Sequence, residues 1–347
     1  MIRTRDPIET TGVTSPAVRV RPEVCRRLAA LIRSWVVPED REEIDFPGLD
    51  DRQLGNLLLL AVAICHQTSP RDGPALAGTV AGRPLRGWDF LIGKLAEQAP
   101  ADRRWSEPGC WSALAGNDLR KLFGESLSQP DERAALIRDL GEVMRRESWS
   151  GVGDLMCASG GWIEGNSGGS SGLLGLLHGF RAYDDPVHKK SYYFLALMRN
   201  TGTWSYRDPE KLGAPVDYHE VRGHLRIGTV EIVDDALLRK VRRGESVDAG
   251  EDIAIRAAVH EAILLLSNET GIRSPSKLHY LFWNVFRGCC TRASPHCSSC
   301  PGEHLPQRYE EMRRTLDTTL RCPFASVCGS VRARERLPEH VFVTDYY

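Results

Sequence analysis

The stretch GCCTRASPHCSSCPGEHLPQRYEEMRRTLDTTLRCPFASVC carries six of the chain's ten cysteines, between Cys289 and Cys328. It constrains the fold more than any other segment, because four thiolates gathered in one place are what a tetrahedral zinc ion or a cubane iron–sulfur cluster requires. Cys290, Cys297 and Cys300 are spaced C-x6-C-x2-C, and Cys322 and Cys328 follow as C-x5-C. In a reducing compartment such clustering argues for metal ligation over disulfides. Four protein ligands leave no open coordination position, so a metal here is structural. Spacing alone does not choose between cluster and zinc. The remaining Cys25, Cys65, Cys110 and Cys157 are scattered and read as small buried hydrophobes or inert thiols.

A chain of 347 residues holds one large domain or two modest ones around a sizeable core. With 41% hydrophobic and 26% charged residues it reads as a soluble globular protein. No apolar run approaches the roughly 18 residues needed to span a bilayer. The start, MIRTRDPIETTG, has no apolar segment of the kind a signal peptide needs. The expected location is the cytoplasm. Net charge is −1 and the pI is near 6.8, so any nucleic-acid site must be a local basic surface.

Periodicity predicts a mainly α-helical chain. EVCRRLAALIRSWV places Leu28, Ile32 and Val36 on one stripe, and RQLGNLLLLAVAICHQ is apolar nearly all round, as a buried helix is. Shorter helices, closed by Gly or Pro, are expected at GWDFLIGKLAEQ, GCWSALAG, NDLRKLFG and DERAALIRDLGEVMRR. Further helices follow at LLGLLHGF, KKSYYFLALMRN, DDALLRKVRRG, AGEDIAIRAAVHEAILLLSNETG and SPSKLHYLFWNVFRG. GGWIEGNSGGSSG (160–172) reads as a mobile loop or a backbone anion nest. Strand signal is confined to HVFVTDYY at the end. Residues 1–20 are expected to be a flexible tail, 21–288 a helical domain, 289–330 a cysteine-rich metal cluster loop, and 331–347 a C-terminal extension.

PVDYHEVRGHLRIG (Pro215–Gly228) concentrates the polar chemistry. HEVRGH looks like the zinc-protease HExxH, but His219 and His224 are five residues apart. That is roughly 140° around a helix, so the two imidazoles face different ways. The pattern instead predicts a helix capped by Asp217 and ended by Gly228. A carboxylate at a helix N-terminus is stabilised as the anion by the exposed N–H groups.

Val216-Asp217-Tyr218-His219, Arg222 and Arg226-Ile227-Gly228 resemble the VDxHxxRxxxRxG segment of the endonuclease III/MutY-type DNA glycosylases, the helix-hairpin-helix superfamily. LLLLAVAICHQTS, HKKSYYFLALM and the C-x6-C-x2-C run resemble further segments of that family in its order, over about residues 50–330. The resemblance implies a two-lobed helical glycosylase-like fold with a C-terminal cysteine cluster loop. It implies Asp217 as the catalytic carboxylate and Lys190, before Ser191, as a Schiff-base lysine, with Lys189 as its neighbour and rival. It implies a [4Fe-4S] cluster on Cys290, Cys297, Cys300 and Cys328, with Cys322 as rival fourth ligand and zinc as the alternative metal. Gln67, Lys189, Tyr218, His219 and Trp162 are candidate base or substrate contacts. Trp204 is another candidate, and core packing is the competing reading for each aromatic. The family's hairpin glycines are absent here, where FRAYDDPVHK precedes Lys190.

The implied activity is excision of a damaged or modified base from duplex DNA, leaving an abasic site, with lyase activity if Lys190 forms an imine. The departures from the family pattern point to an unusual substrate, such as a bulky modified base of phage DNA in an antiviral defence role. A monomer acting on DNA with no membrane partner is expected. Two alternatives stand beside this: an N-glycosidase on nucleosides or RNA, and a non-catalytic nucleic-acid-binding protein.

Overall fold

A computed structural model of the chain describes residues 15–39, 46–70, 73–165, 171–300, 302, 305–319, 321–333 and 336–347. It divides into two bodies, one formed within 41–211 and 344–347, the other within 8–40 and 212–343. The chain opens in the second body with strand β1 (Val18–Val20) and helix α1 (Pro22–Ile32).

The first body holds α2 (Asp51–Ala63), the hairpin β2 (Ala77–Val80) and β3 (Arg83–Arg86), and α3 (Trp88–Gln98). It continues with α4 (Gly116–Phe123), α5 (Pro130–Arg146), α6 (Val152–Ser159), α7 (Leu173–Leu177) and α8 (Lys189–Asn200). α2 is its centre. Asp50 caps it by accepting the Gln53 N–H at 2.7 Å, while the Gln53 side chain returns to the Asp50 N–H. From Gly55 to Ala63 every residue is buried, against α3, α5, α6 and α8. Gly55 is required there, because a Cβ would run into Val152 of α6. The carbonyls beyond the end of α2 are answered by buried Arg133 of α5, which donates to Ile64 O and, at 2.7 Å, to His66 O. Burial lowers this guanidinium to about 10.

The second body resumes with α9 (Tyr218–Ile227), β4 (Val230–Ile232), α10 (Asp235–Arg243) and α11 (Ala249–Thr270). α12 (Pro275–Gly288), α13 (Glu310–Thr319) and α14 (Gly329–Ala333) complete it. β1 and β4 pair antiparallel, Val18 opposite Ile232 and Val20 opposite Val230. α11 packs on α1, α9 and α12. α9 lies close on α12 because position 223 is glycine, where a Cβ would overlap the Phe286 ring. Buried Asp252 binds Arg256 at 2.9 Å and His340 at 2.7 Å. Burial pushes its carboxyl up, and His340 and Arg256 together outweigh that and hold it at about 2.

The mainly α-helical class stands. Several local expectations do not. In the expected tail, residues 1–14 lie outside the described ones, whereas Val18–Val20 is a paired strand. α1 stops at Ile32, and Val36, expected on its buried stripe, is 74% exposed. GCWSALAG forms a 3-10 turn at Pro108–Ala113 instead of an α-helix. HVFVTDYY makes only an isolated bridge, Val341 to Ser246, while Glu339 and His340 of the expected extension are buried core residues. The middle of the glycine-rich stretch, 166–170, lies outside the described residues. The β2–β3 hairpin was not expected. Its turn carries positive φ at Ala81 (46°) and Gly82 (77°), the geometry that favours two-residue hairpin loops. Among the described residues no helix is long and apolar enough to cross a membrane.

Candidate functional site

Asp217 caps α9 as the sequence predicts. Its Oδ1 accepts the His219 N–H at 2.7 Å, and its own N–H donates to Glu220 Oε2 at 3.1 Å. Asp217-x-x-Glu220 is therefore a reciprocal capping box, a spacing legible in the sequence and overlooked there. The second carboxylate oxygen, Oδ2, accepts the indole N–H of Trp283 on α12 at 3.1 Å. Asp217 retains 8% of its surface. Behind it the buried Glu220 carboxylate meets His279 Nδ1. A carboxylate held by the α9 N-terminus and by the Trp283 indole is a preorganised negative charge.

Tyr218 and His219 gather beside it, their rings 4.3 Å apart. Burial, with the Asp217 charge adding, pushes the Tyr218 hydroxyl up. Arg292 lies over the Tyr218 ring at 5.5 Å and Arg287 over the Trp283 ring at 4.7 Å. The same patch thus offers a carboxylate, aromatic faces and cations. Trp283 and Glu220 with His279 were missed. Trp283 reaches Asp217 across 66 residues of sequence, and a contact of that span leaves no local signal.

The other sequence candidates belong to the first body. Lys189 and Lys190 are the first two residues of α8. Lys190 is fully buried, with its amine donating to Ala63 O and 3.5 Å from His66 Nδ1. Burial lowers this amine to about 7 and, with Lys190 as a second cause, lowers His66 well below the usual histidine range. Lys189 sits 3.5 Å from Cys65 Sγ and over the Tyr193 ring. Gln67, at φ 45°, donates to Thr344 O at 3.1 Å. Trp162 lies in the turn after α6 with Arg207 near its face. Trp204 packs edge-on to Phe194 and is buried, which is the core reading.

The cysteines separate into two groups. Cys289 and Cys300 are joined, with Cα atoms 5.4 Å apart. Cys290, Cys297, Cys322 and Cys328 line a cavity of about 1060 Å³, together with Arg226, Phe286 and Phe324 among others. Arg226, near the C-terminal end of α9, donates to Cys290 Sγ at 3.3 Å, and Cys328 Sγ–H donates to Arg226 O at 3.2 Å. Cys322 N–H donates to Cys297 O at 3.0 Å. Burial pushes the Cys322 thiol up to about 12, and Cys290, Cys328 and Cys297 are near enough to add to that. Cys300, expected as a ligand with Cys290 and Cys297, is paired with Cys289.

Among the described residues no three His, Cys, Asp or Glu side chains converge on a point where one metal ion would sit. Thiolate is the donor that both a structural zinc and an iron–sulfur cluster take, and four thiols line this one cavity.

No family model matches the chain, and no curated protein matches it.

Proposed function

We propose that the chain is a DNA glycosylase in which Asp217 drives cleavage of an N-glycosidic bond. The observation that supports this most is the Asp217 carboxylate, fixed by the α9 N-terminus and by the Trp283 indole inside the VDYHEVRGHLRIG segment. Cleavage builds positive charge on the sugar, and a preorganised carboxylate stabilises it. Water bonds to the sugar C1′, its proton moves toward Asp217, and the base departs with the bonding electron pair. The Tyr218, His219 and Trp283 rings suit the stacking that an extruded base requires. Arg287 and Arg292 suit phosphate.

Cys290, Cys297, Cys322 and Cys328 are the residues that would hold an iron–sulfur cluster, which would tie the loop after α12 to the segment before α14. Lyase chemistry through Lys190 is the less supported part, because its amine is fully buried and bonded to Ala63 O. A nucleoside- or RNA-directed N-glycosidase is the second reading, favoured by the net charge of −1, since duplex binding draws on many phosphate contacts.

The test is base release from phage DNA carrying bulky modified bases, from 8-oxoguanine duplexes, from RNA and from free nucleosides. Alkali-sensitive breaks in modified DNA support the glycosylase. Release from nucleosides or RNA alone moves the reaction to the second reading, and no release from any substrate contradicts both.

A further inference from the structure

We propose that Cys65 and Lys189 form an oxidation site, at which hydrogen peroxide joins the Cys65 sulfur to the Lys189 amine as a sulfenamide and so ties the end of α2 to the start of α8. This site is independent of the chemistry proposed for Asp217. The Lys189 amine donates to Cys65 Sγ at 3.5 Å across 124 residues of sequence, and among the described residues that is the one hydrogen bond the amine makes. The amine also lies over the Tyr193 ring, 5.3 Å from its centre. Both partners are fixed by the fold. Buried Asp185 accepts the Val187 and Lys189 N–H groups at 3.1 and 2.8 Å and so holds the start of α8. The Cys65 N–H donates to Val62 O at 3.3 Å, just past the end of α2. Cys65 and Lys189 each keep 8% of their surface, which admits a small oxidant more readily than another protein's thiol.

The charge around the sulfur points the same way. Lys190 and Arg133 are fully buried in this part of the first body. Burial lowers the Lys190 amine and the Arg133 guanidinium, and the negative charge that most offsets this for both is the Cys65 sulfur, ahead of Asp345. Reactive cysteines sit in electropositive, partly exposed surroundings, because the thiolate is the nucleophile. The chemistry balances in two steps. The sulfur bonds to one oxygen of hydrogen peroxide as the O–O bond breaks, which gives the Cys65 sulfenic acid and one water. In that step sulfur loses two electrons and the peroxide gains them. The Lys189 amine, as its free base, then bonds to the sulfur, the S–O bond breaks, and the hydroxide leaves as water with a proton from the amine. Sulfenic acids condense with nitrogen in this way, and the S–N bond stops the sulfur short of irreversible oxidation. Lys190 is not the partner, because its amine is held on Ala63 O.

The full-length chain, reduced, treated with hydrogen peroxide, digested without reductant and mapped by mass spectrometry, is the material for the test. The expected product is a pair of peptides joined through Cys65 and Lys189, lighter by two hydrogens than the separate peptides and parted again by a thiol reductant. Dimedone, which traps sulfenic acid, should leave only a trace on Cys65 of wild type. Lys189→Arg keeps the cation and removes the amine that condenses, so no link should form there and the Cys65–dimedone adduct should become the main product. The wild-type map decides by itself if that variant misfolds. Wild-type Cys65 that remains a free thiol overturns the proposal. So does Cys65 that ends as sulfinic acid with no link, a link to Lys190 instead of Lys189, or a link that retains oxygen.

Discussion

α8 and α9 begin with opposite charges. α9 starts under Asp217, an anion at the helix end whose free N–H groups favour negative charge. α8 starts with Lys189 and Lys190, two cations at the end where that same field opposes them. The anion is held by the His219 amide and by the Trp283 indole while keeping some surface. The cation Lys190 has no surface, and burial carries its amine down to about 7. A group whose charge the fold supports is suited to meet a developing opposite charge. A buried lysine whose charge the fold opposes is suited to be a neutral amine inside a core. That contrast is why the proposed chemistry is placed on Asp217.

The sharpest way to break the contrast is Asp217→Asn. Asn caps helices about as well as Asp, so the melting temperature should hold within a degree or so. Base release should fall on the order of 10³-fold. Gly223→Ala comes next. It forces a methyl into the Phe286 ring and should cost about 1–3 kcal/mol by urea denaturation, moving α9 and lowering release with it.

Trp283→Phe keeps the ring beneath Arg287 and removes one N–H donor to a carboxylate. Steady-state kinetics should show kcat reduced roughly tenfold with KM little changed. A kcat that equals wild type once expressed per folded enzyme would mean that Trp283 only holds the fold. The smallest effect is expected for Lys190→Met. The folded amine titrates near 7 and an ordinary lysine at 10.5, so between those values the unfolded chain binds a proton that the folded chain does not. Stability in wild type should therefore rise with pH from about 7 toward 10.5, the penalty being full below 7. Melting curves of Lys190→Met should lack that rise, and base release should stay near wild type. A collapse of release would return Lys190 to the chemistry.

What was legible in the sequence is what local physics writes there. α8 and the residues of α9 follow from apolar spacing, and Asp217 and Gly228 follow from cap chemistry. What was not legible depends on distant partners. Val18–Val20 is too short to announce itself and becomes a strand only against Val230–Ile232. Nothing near Trp283 says that its indole meets Asp217. The clustering of the cysteines was legible by count, but chain proximity cannot show that Cys322 returns to the Cys297 carbonyl or that Cys322 and Cys328 line one cavity with Cys290 and Cys297. Lys190 carries a residue type suited to imine chemistry, and its burial under the end of α2 is a tertiary fact.

The most direct measurement is the free base released by wild type and Asp217→Asn from one modified phage DNA, identified and counted by mass spectrometry. The account predicts stoichiometric release of intact base by wild type, an alkali-labile site left behind, and no more than trace release by the variant at equal folded concentration. Release by Asp217→Asn at the wild-type rate would contradict it and leave Asp217 as a helix cap alone.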